Sequence, residues 1–478
     1  MKSLIGTEWR DAKDNNTIKV INPATNELID TVPSLSAEEV DEAIAYAYDH
    51  QKEWESVPMH EKCDILMKFV KLVEDNKEEL AKTLSDETGK PIKEARNEIA
   101  NISIGVPAYV EKAKHEYGSL IPRGSEKGQE NTIQYTIRQP LGVVAAIIPF
   151  NFPSDIFINK IPPALLMGNA VILKPASANP LTLTRYIELL VEAGVPAGIV
   201  SVVHGSGNVV GGALSKSEKV NMVSITGSTA AGIDVAKNCA KHLAHSALEL
   251  GGNDAFVICA DGDIDLAVEE TVWGRLYNTG QVCCASKRFL VENSVKDEYI
   301  KKMCDKIDTL KVGYPSEEDT DIGCLISEEA AIEVEKQVNH TIDQGATIVR
   351  GGRRNGAFYE PTIIDNITKD MDVAKDMEIF GPVISVIGFD SIEEAIEIAN
   401  SSKFGLSGSI ITRDINKAIK VSEAFESGGF VINGASFFRS FEQPFGGWKY
   451  SGIGNEGVMT TLNEMSRMKT VILKNITK

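Results

Sequence analysis

Along residues 38–98, apolar side chains recur every three or four positions. They do so in EEVDEAIAYAYDHQKEW and again in DILMKFVKLVEDNKEELAKTLSDETGKPIKEARNEI. That period predicts amphipathic helices, with the second run broken at Gly89-Lys90-Pro91. Near 120–132 the chain turns polar and rich in Gly and Pro, as SLIPRGSEKGQEN, which predicts a connection. TIQYTIRQP follows and alternates as a half-exposed strand does. From 141 to 250, short apolar runs alternate with helix-like segments. The runs are VVAAII (143–148), AVILK (170–174), IVSVV (199–203), MVSIT (222–226) and SALEL (246–250). This rhythm predicts strand–helix–strand units and a parallel sheet, hence an α/β fold. Further on, Ser391 and Glu394 predict a capping box before AIEIAN. KTVILKNI is a lone strand-like run at the end, which predicts pairing elsewhere, on this or another subunit.

Composition narrows the classes. The 478 residues carry a net charge of −19, which disfavours partners held through phosphates, whether nucleic acid or an anionic membrane surface. Leu141 to Phe150, the longest strongly apolar stretch, is about half of what a bilayer span needs. The N-terminus becomes charged at once and lacks a secretory apolar core. Seven scattered cysteines do not make a disulfide framework. These features predict a cytoplasmic, reduced, multi-domain enzyme.

Candidate chemistry lies where small and polar residues interrupt the texture. Asn151 sits in Pro149-Phe150-Asn151-Phe152-Pro153 at a strand's carboxyl end, where open α/β sheets bind ligands. Lys174 and Ser177 in KPAS follow the next strand and can hold ribose or phosphate oxygens. HGSGN, with Gly207, and ITGS, with Gly227 and Ser228, each lead from a strand into a helix and can offer amides to a phosphate. Neither fits the G-x-G-x-x-G fingerprint. Glu249 in LELGG is a carboxylate in an apolar strand, where burial raises its pKa towards that of a general base. Cys283 in GQVCC is a nucleophile if its pKa is lowered. Each motif has an ordinary structural reading too: a rigid turn, a solvated lysine, a paired glutamate, an inert core thiol. No histidine has metal-ligand spacing with the cysteines, so no metal site is expected.

Taken in order, PFNFP, KPAS, ITGS, LELGG, GQVC, EIFGPV (378–383) and PFGGWKYSGIGNEG (444–457) resemble the aldehyde dehydrogenase superfamily over essentially the whole chain. The resemblance implies oxidation of an aldehyde to its acid with NAD(P)+. By it, Cys283 is the nucleophile, Asn151 an oxyanion donor beside the Cys283 backbone N–H, and Glu249 the base that activates hydrolytic water. It also implies cofactor contacts from Lys174, Ser177, Gly207, Gly227, Ser228, Glu378 and Phe380.

Departures from the family pattern bear on specificity. Ser177 stands where NAD-preferring relatives usually carry Glu, so the expected cofactor is NADP+ ahead of NAD+, because a hydroxyl does not repel a 2′-phosphate. Phe150 replaces a common tryptophan, Asn159 stands where many relatives have an arginine, and Arg439 supplies an unusual one. They predict a small polar or anionic aldehyde. The resemblance further implies a Rossmann-like cofactor domain (1–121 and 141–250), an α/β catalytic domain (251–445) and a small β oligomerisation arm with the C-terminal segment (122–140 and 446–478), in a homodimer or homotetramer. A CoA-acylating relative and a catalytically inactive structural relative are the alternatives. Glu249 speaks against the first, and intact Cys283, Glu249 and Asn151 against the second.

Overall fold

The computed structural model describes residues 1–116 and 118–475, so the last three residues of the C-terminal segment lie outside the described part. Two mostly parallel sheets carry the fold. All five apolar runs between 141 and 250 become strands in one eight-stranded sheet. Its parallel centre runs Val200–Val202, Ala170–Lys174, Val143–Ile147, Met222–Thr226, His245–Glu249. All of these strands but His245–Glu249 are almost fully buried, because helices pack on them, and that burial is why they read as continuous apolar runs. Three segments join this sheet that the spacing did not reveal. Ser3–Ile5 pairs antiparallel with Val200–Val202 and is followed outward by Glu8–Arg10 at one edge, and Gly452–Ile453, far away in sequence, pairs antiparallel with His245–Glu249 at the other.

The second sheet has seven strands and centres on Val383–Phe389, Ser286–Glu292, Asp254–Ile258 and Gly408–Ile411, all parallel. A third sheet is small. Ser466–Lys474 pairs residue for residue with Thr132–Pro140 of the same chain, from Ser466 opposite Pro140 to Lys474 opposite Thr132. The partner of the lone terminal strand is therefore within the chain.

The N-terminal amphipathic pattern resolves into Ala37–Ser56, Met59–Asp75, Lys77–Thr88 and Ile92–Ala100. Asn76 divides the second run in addition to the break at Gly89. At the expected capping box, Ser391 accepts from the Glu394 amide, while the Glu394 carboxylate reaches one residue further back, to the Asp390 amide. No helix among the described residues is long and apolar enough to cross a membrane.

Candidate active site

A cavity of about 690 Å³ is lined by groups from both large sheets. Thr226 and Glu249 come from the carboxyl ends of neighbouring strands of the first sheet, paired directly opposite each other. Asn151 follows the strand Val143–Ile147 at the same end. Cys283 comes from the opposite sense: it precedes Ser286–Glu292, at the amino end of a second-sheet strand. Asn151, Asn159, Glu249, Cys283 and Arg439 therefore share one cavity.

The turn that presents Cys283 is strained. Asn278 and Thr279 both have left-handed backbone (φ 50° and 55°), a conformation costing about 1–3 kcal/mol per non-glycine residue. Gly280 follows at φ 77°, where a Cβ would run into the Gly381 carbonyl. Surrounding bonds hold the turn. The Asn278 amide donates to Glu94 (2.8 Å), and its side chain donates to the Asn151 carbonyl (2.9 Å). Asn151 in turn donates through Nδ2 to the Gln281 carbonyl (3.1 Å). The two halves of the site are thus fixed to each other.

Cys283 titrates at about 7, below an ordinary thiol. The Cys284 thiol donates to it, and that bond, together with the positive charge of Lys287 and Arg439, outweighs burial. Lys287 is buried, donates to the Cys283 carbonyl (2.6 Å) and lies 3.2 Å from Glu378. Glu249 is raised well above the carboxylate range, first by burial and then by the negative Glu456. Its Oε2 has no hydrogen-bond partner among the described residues. Burial would raise Glu456 too, but Lys160 (2.8 Å) and Arg439 (3.0 Å) hold it below the usual value. Arg439 stacks over Phe445, 4.1 Å from the ring centre, and only its Nη2 is hydrogen-bonded among the described residues. Asn159 is less available, since it accepts from Tyr109 (2.9 Å) and donates to the Asp155 carbonyl (2.9 Å). Asp155 also lines the cavity and is raised to about 7 by burial and by Glu98.

The cofactor candidates form a second group. Lys174 is buried and, among the described residues, has only the Pro175 carbonyl to donate to (3.1 Å), and burial lowers it to about 8. A buried ammonium without a carboxylate suits oxygen-rich ligands such as a ribose or phosphate. Ser177 donates to the Gly205 carbonyl (3.1 Å), and the Lys174 side chain lies against Gly211, so both face the loop that holds Gly207. Gly207 begins a single helical turn capped by Ser206. Gly227 donates to the Glu249 carbonyl (3.0 Å), and Ser228 caps the helix Thr229–Ala240. Glu378 accepts from the Gly252 amide (3.3 Å), and Gly251 gives it room: a Cβ there would lie 2.5 Å from its carboxylate. Phe380 packs edge-on to Phe150 at 6.0 Å. Among the described residues there is no group of three or more His, Cys, Asp or Glu able to hold a metal ion.

Sequence reasoning missed Cys284 as a hydrogen-bond donor, Lys287, and the Lys160–Glu456–Arg439 cluster. Glu456 lies in GIGNEG, already part of a quoted motif, but nothing in its neighbours separates it from a surface glutamate. Its buried ion-pair partner, Lys160, lies 296 residues away.

Comparison with known proteins gives a consistent result. The model of the aldehyde dehydrogenase family matches residues 9–471. A lactaldehyde dehydrogenase of Methanococcus aeolicus is 38% identical over 474 residues, covering 98% of this chain and 99% of that protein. The crystal structure of a glyceraldehyde-3-phosphate dehydrogenase from Methanocaldococcus jannaschii, complexed with NADP, superposes with a TM-score of 0.92 at 39% identity, over 96% of this chain and 100% of that one. A betaine aldehyde dehydrogenase from Staphylococcus aureus, in complex with NAD+, superposes with a TM-score of 0.95 at 32% identity, over 100% of this chain and 95% of that one.

Proposed function

The chain belongs to the aldehyde dehydrogenase family and oxidises a small polar aldehyde to its acid with NAD(P)+, and from that premise we propose that Cys283, Asn151 and Glu249 carry the reaction. The observation that carries this reading is that the three groups line one cavity, with the thiol lowered and the carboxyl raised.

The Cys283 thiolate attacks the aldehyde carbon and forms a thiohemiacetal oxyanion. Asn151 Nδ2 carries two hydrogens, of which one is held by Gln281; the other serves the oxyanion together with the Cys283 backbone N–H. The nicotinamide, when bound, supplies the hydride acceptor that makes oxidation to a thioester possible. Lys174, Gly227, Ser228 and Glu378 would hold and orient that cofactor, and the Lys174 ammonium, which has no carboxylate partner among the described residues, fits it. Glu249 then takes a proton from water, the resulting hydroxide attacks the thioester carbon, and the C–S bond breaks to release the acid and Cys283. Burial and the negative Glu456 raise Glu249 and so its affinity for that proton, while Arg439 and Lys160 pull it the other way.

For the finer points, Arg439 with its two free nitrogens and the buried Asp155 favour an aldehyde that carries a hydroxyl, in keeping with the lactaldehyde dehydrogenase relative. Ser177 beside Lys174 favours NADP+. The strand Ser466–Lys474 has one unpaired edge and exposes Met468, Ile472 and Leu473, which supports pairing between copies in a homodimer or homotetramer. Seven free cysteines suit a reducing, cytoplasmic setting. The test is a panel of aldehydes with each cofactor, including lactaldehyde, glycolaldehyde, succinic semialdehyde and glyceraldehyde 3-phosphate. Turnover of lactaldehyde and glycolaldehyde above the others supports the reading. Preference for succinic semialdehyde would overturn the hydroxyaldehyde assignment.

A further inference from the structure

A second cavity, of about 830 Å³, lies outside the catalytic site and is larger than it. Arg350, Arg353 and Arg354 line it together with Tyr314, Phe358 and Glu360. Three cations fall within five residues of a chain whose net charge is −19. Such crowding of like charge opposes the folded state unless anions answer it. The turn is nevertheless firmly built. Gly351 and Gly352 take positive φ (79° and 86°), the Gly352 amide donates to Thr362 Oγ1 (2.8 Å), and the Glu360 amide donates to the Arg353 carbonyl (3.0 Å).

Two of the three arginines are answered by the protein. Arg350 pairs with Asp308, and Arg354 pairs with Glu328 (2.9 Å) and Glu335 (3.0 Å). Arg353 has neither an ion pair nor a side-chain hydrogen bond among the described residues, and Arg350 Nη1 and Arg354 Nη2 are likewise without hydrogen bonds. Guanidinium nitrogens gathered this way match a phosphate, which accepts several charge-assisted bonds at once. Beside them, Tyr314 and Phe358 meet edge to face, with ring centres 5.8 Å apart, and Tyr314 is half exposed. An aromatic pair next to a phosphate subsite suits a flat ring. Glu360 offers an acceptor for the ring's amino group or a ribose hydroxyl. Tyr359 also lines the cavity, and its buried hydroxyl has no hydrogen-bond partner among the described residues; the nearby Thr362 hydroxyl is already used, donating to the Glu360 carbonyl (2.7 Å).

We propose that this cavity is a binding site for a nucleoside monophosphate, separate from the dinucleotide site, with Arg353 on the phosphate and Tyr314 and Phe358 on the base. The test is calorimetric titration of the full chain saturated with NAD+, which blocks the adenosine end of the cofactor site. The probes are AMP, adenosine and inorganic phosphate. AMP binds with one site per chain, and adenosine and phosphate bind at least about tenfold more weakly. Arg353→Ala, an exposed change that leaves the fold intact, weakens AMP about tenfold, the size of one charge-assisted bond. Phe358→Leu weakens AMP and leaves phosphate unchanged. The proposal fails if saturated protein takes up no AMP, or if Arg353→Ala binds AMP as the parent does. Phosphate binding as tightly as AMP would also overturn it, because the aromatic pair would then contribute nothing.

Discussion

The two large sheets meet the active site in opposite senses. The first sheet presents the carboxyl ends of its strands: Asn151, Lys174, Thr226 and Glu249 all lie at or just after such an end. The second presents amino ends. Cys283 precedes Ser286–Glu292, and Glu378 and Phe380 precede Val383–Phe389. The rule that ligands sit at the carboxyl ends of parallel strands therefore locates half of this site and misses the other half. The two halves also differ in how they hold charge. First-sheet groups are raised or lowered mainly by burial, as for Glu249 and Lys174, whereas Cys283 is set mainly by its neighbour Cys284.

The largest test of this division is loss of the second-sheet nucleophile. Cys283→Ala is expected to lower kcat by about 10⁴-fold or more, as removal of a covalent nucleophile does. Cofactor affinity, measured by fluorescence titration, stays as in the parent because the holding groups belong to other segments. Activity surviving in Cys283→Ala but lost in Cys284→Ala would reverse the assignment.

On the first-sheet side, Asn151→Ala is expected to slow the first chemical step by about 10²–10³-fold. Glu249→Gln leaves that step working and blocks the second, so rapid mixing shows a burst of reduced cofactor followed by a stall. Normal steady turnover by Glu249→Gln would remove it from the role of base.

Cofactor choice is the next effect in size. A charge-assisted contact between Lys174 and a 2′-phosphate contributes about 1.5–3 kcal/mol, or roughly one to two decades in kcat/KM. The parent is expected to favour NADP+, with Ser177→Glu moving preference towards NAD+. Since Lys174 loses its proton as pH rises through about 8, KM for NADP+ should climb above that pH. A strong NAD+ preference unmoved by Ser177→Glu would sink the local-charge argument.

The smallest effect concerns the thiol pair. Cys284→Ala removes the donor that lowers Cys283, so the midpoint of iodoacetamide alkylation should rise from about 7 towards the ordinary thiol value of about 8.5. The sign follows from the lowered pKa: thiolate is lost near neutral pH and recovered above about pH 9, where most activity returns. An unchanged midpoint would mean that Lys287 and Arg439 suffice alone.

Much of the first sheet was legible because most of its parallel strands are buried on both faces and so write unbroken apolar runs. The outer strands were not: Ser3–Ile5, Glu8–Arg10 and Gly452–Ile453 are too short for a pattern and are defined by their partners. Among site residues, Cys283, Asn151 and Glu249 stood out because small or polar residues break the texture around them. Lys160 looked like any lysine on a helix, and Lys287 like any lysine at a strand's start.

What the sequence determined by itself is local: the periods that select helix or strand, the turns where glycine and proline interrupt them, and which side chains can act as thiol, amide or carboxylate. The tertiary structure decided their working state. Glu249 becomes a raised acid because the packed fold buries it and, secondly, because Glu456 arrives from the far end of the chain, and Cys283 faces Asn151 because the left-handed turn at Asn278 and Thr279 is held in place by Asn151 and Glu94. Proton affinity and strain depend on what lies within a few ångströms in space, and sequence order does not encode that distance.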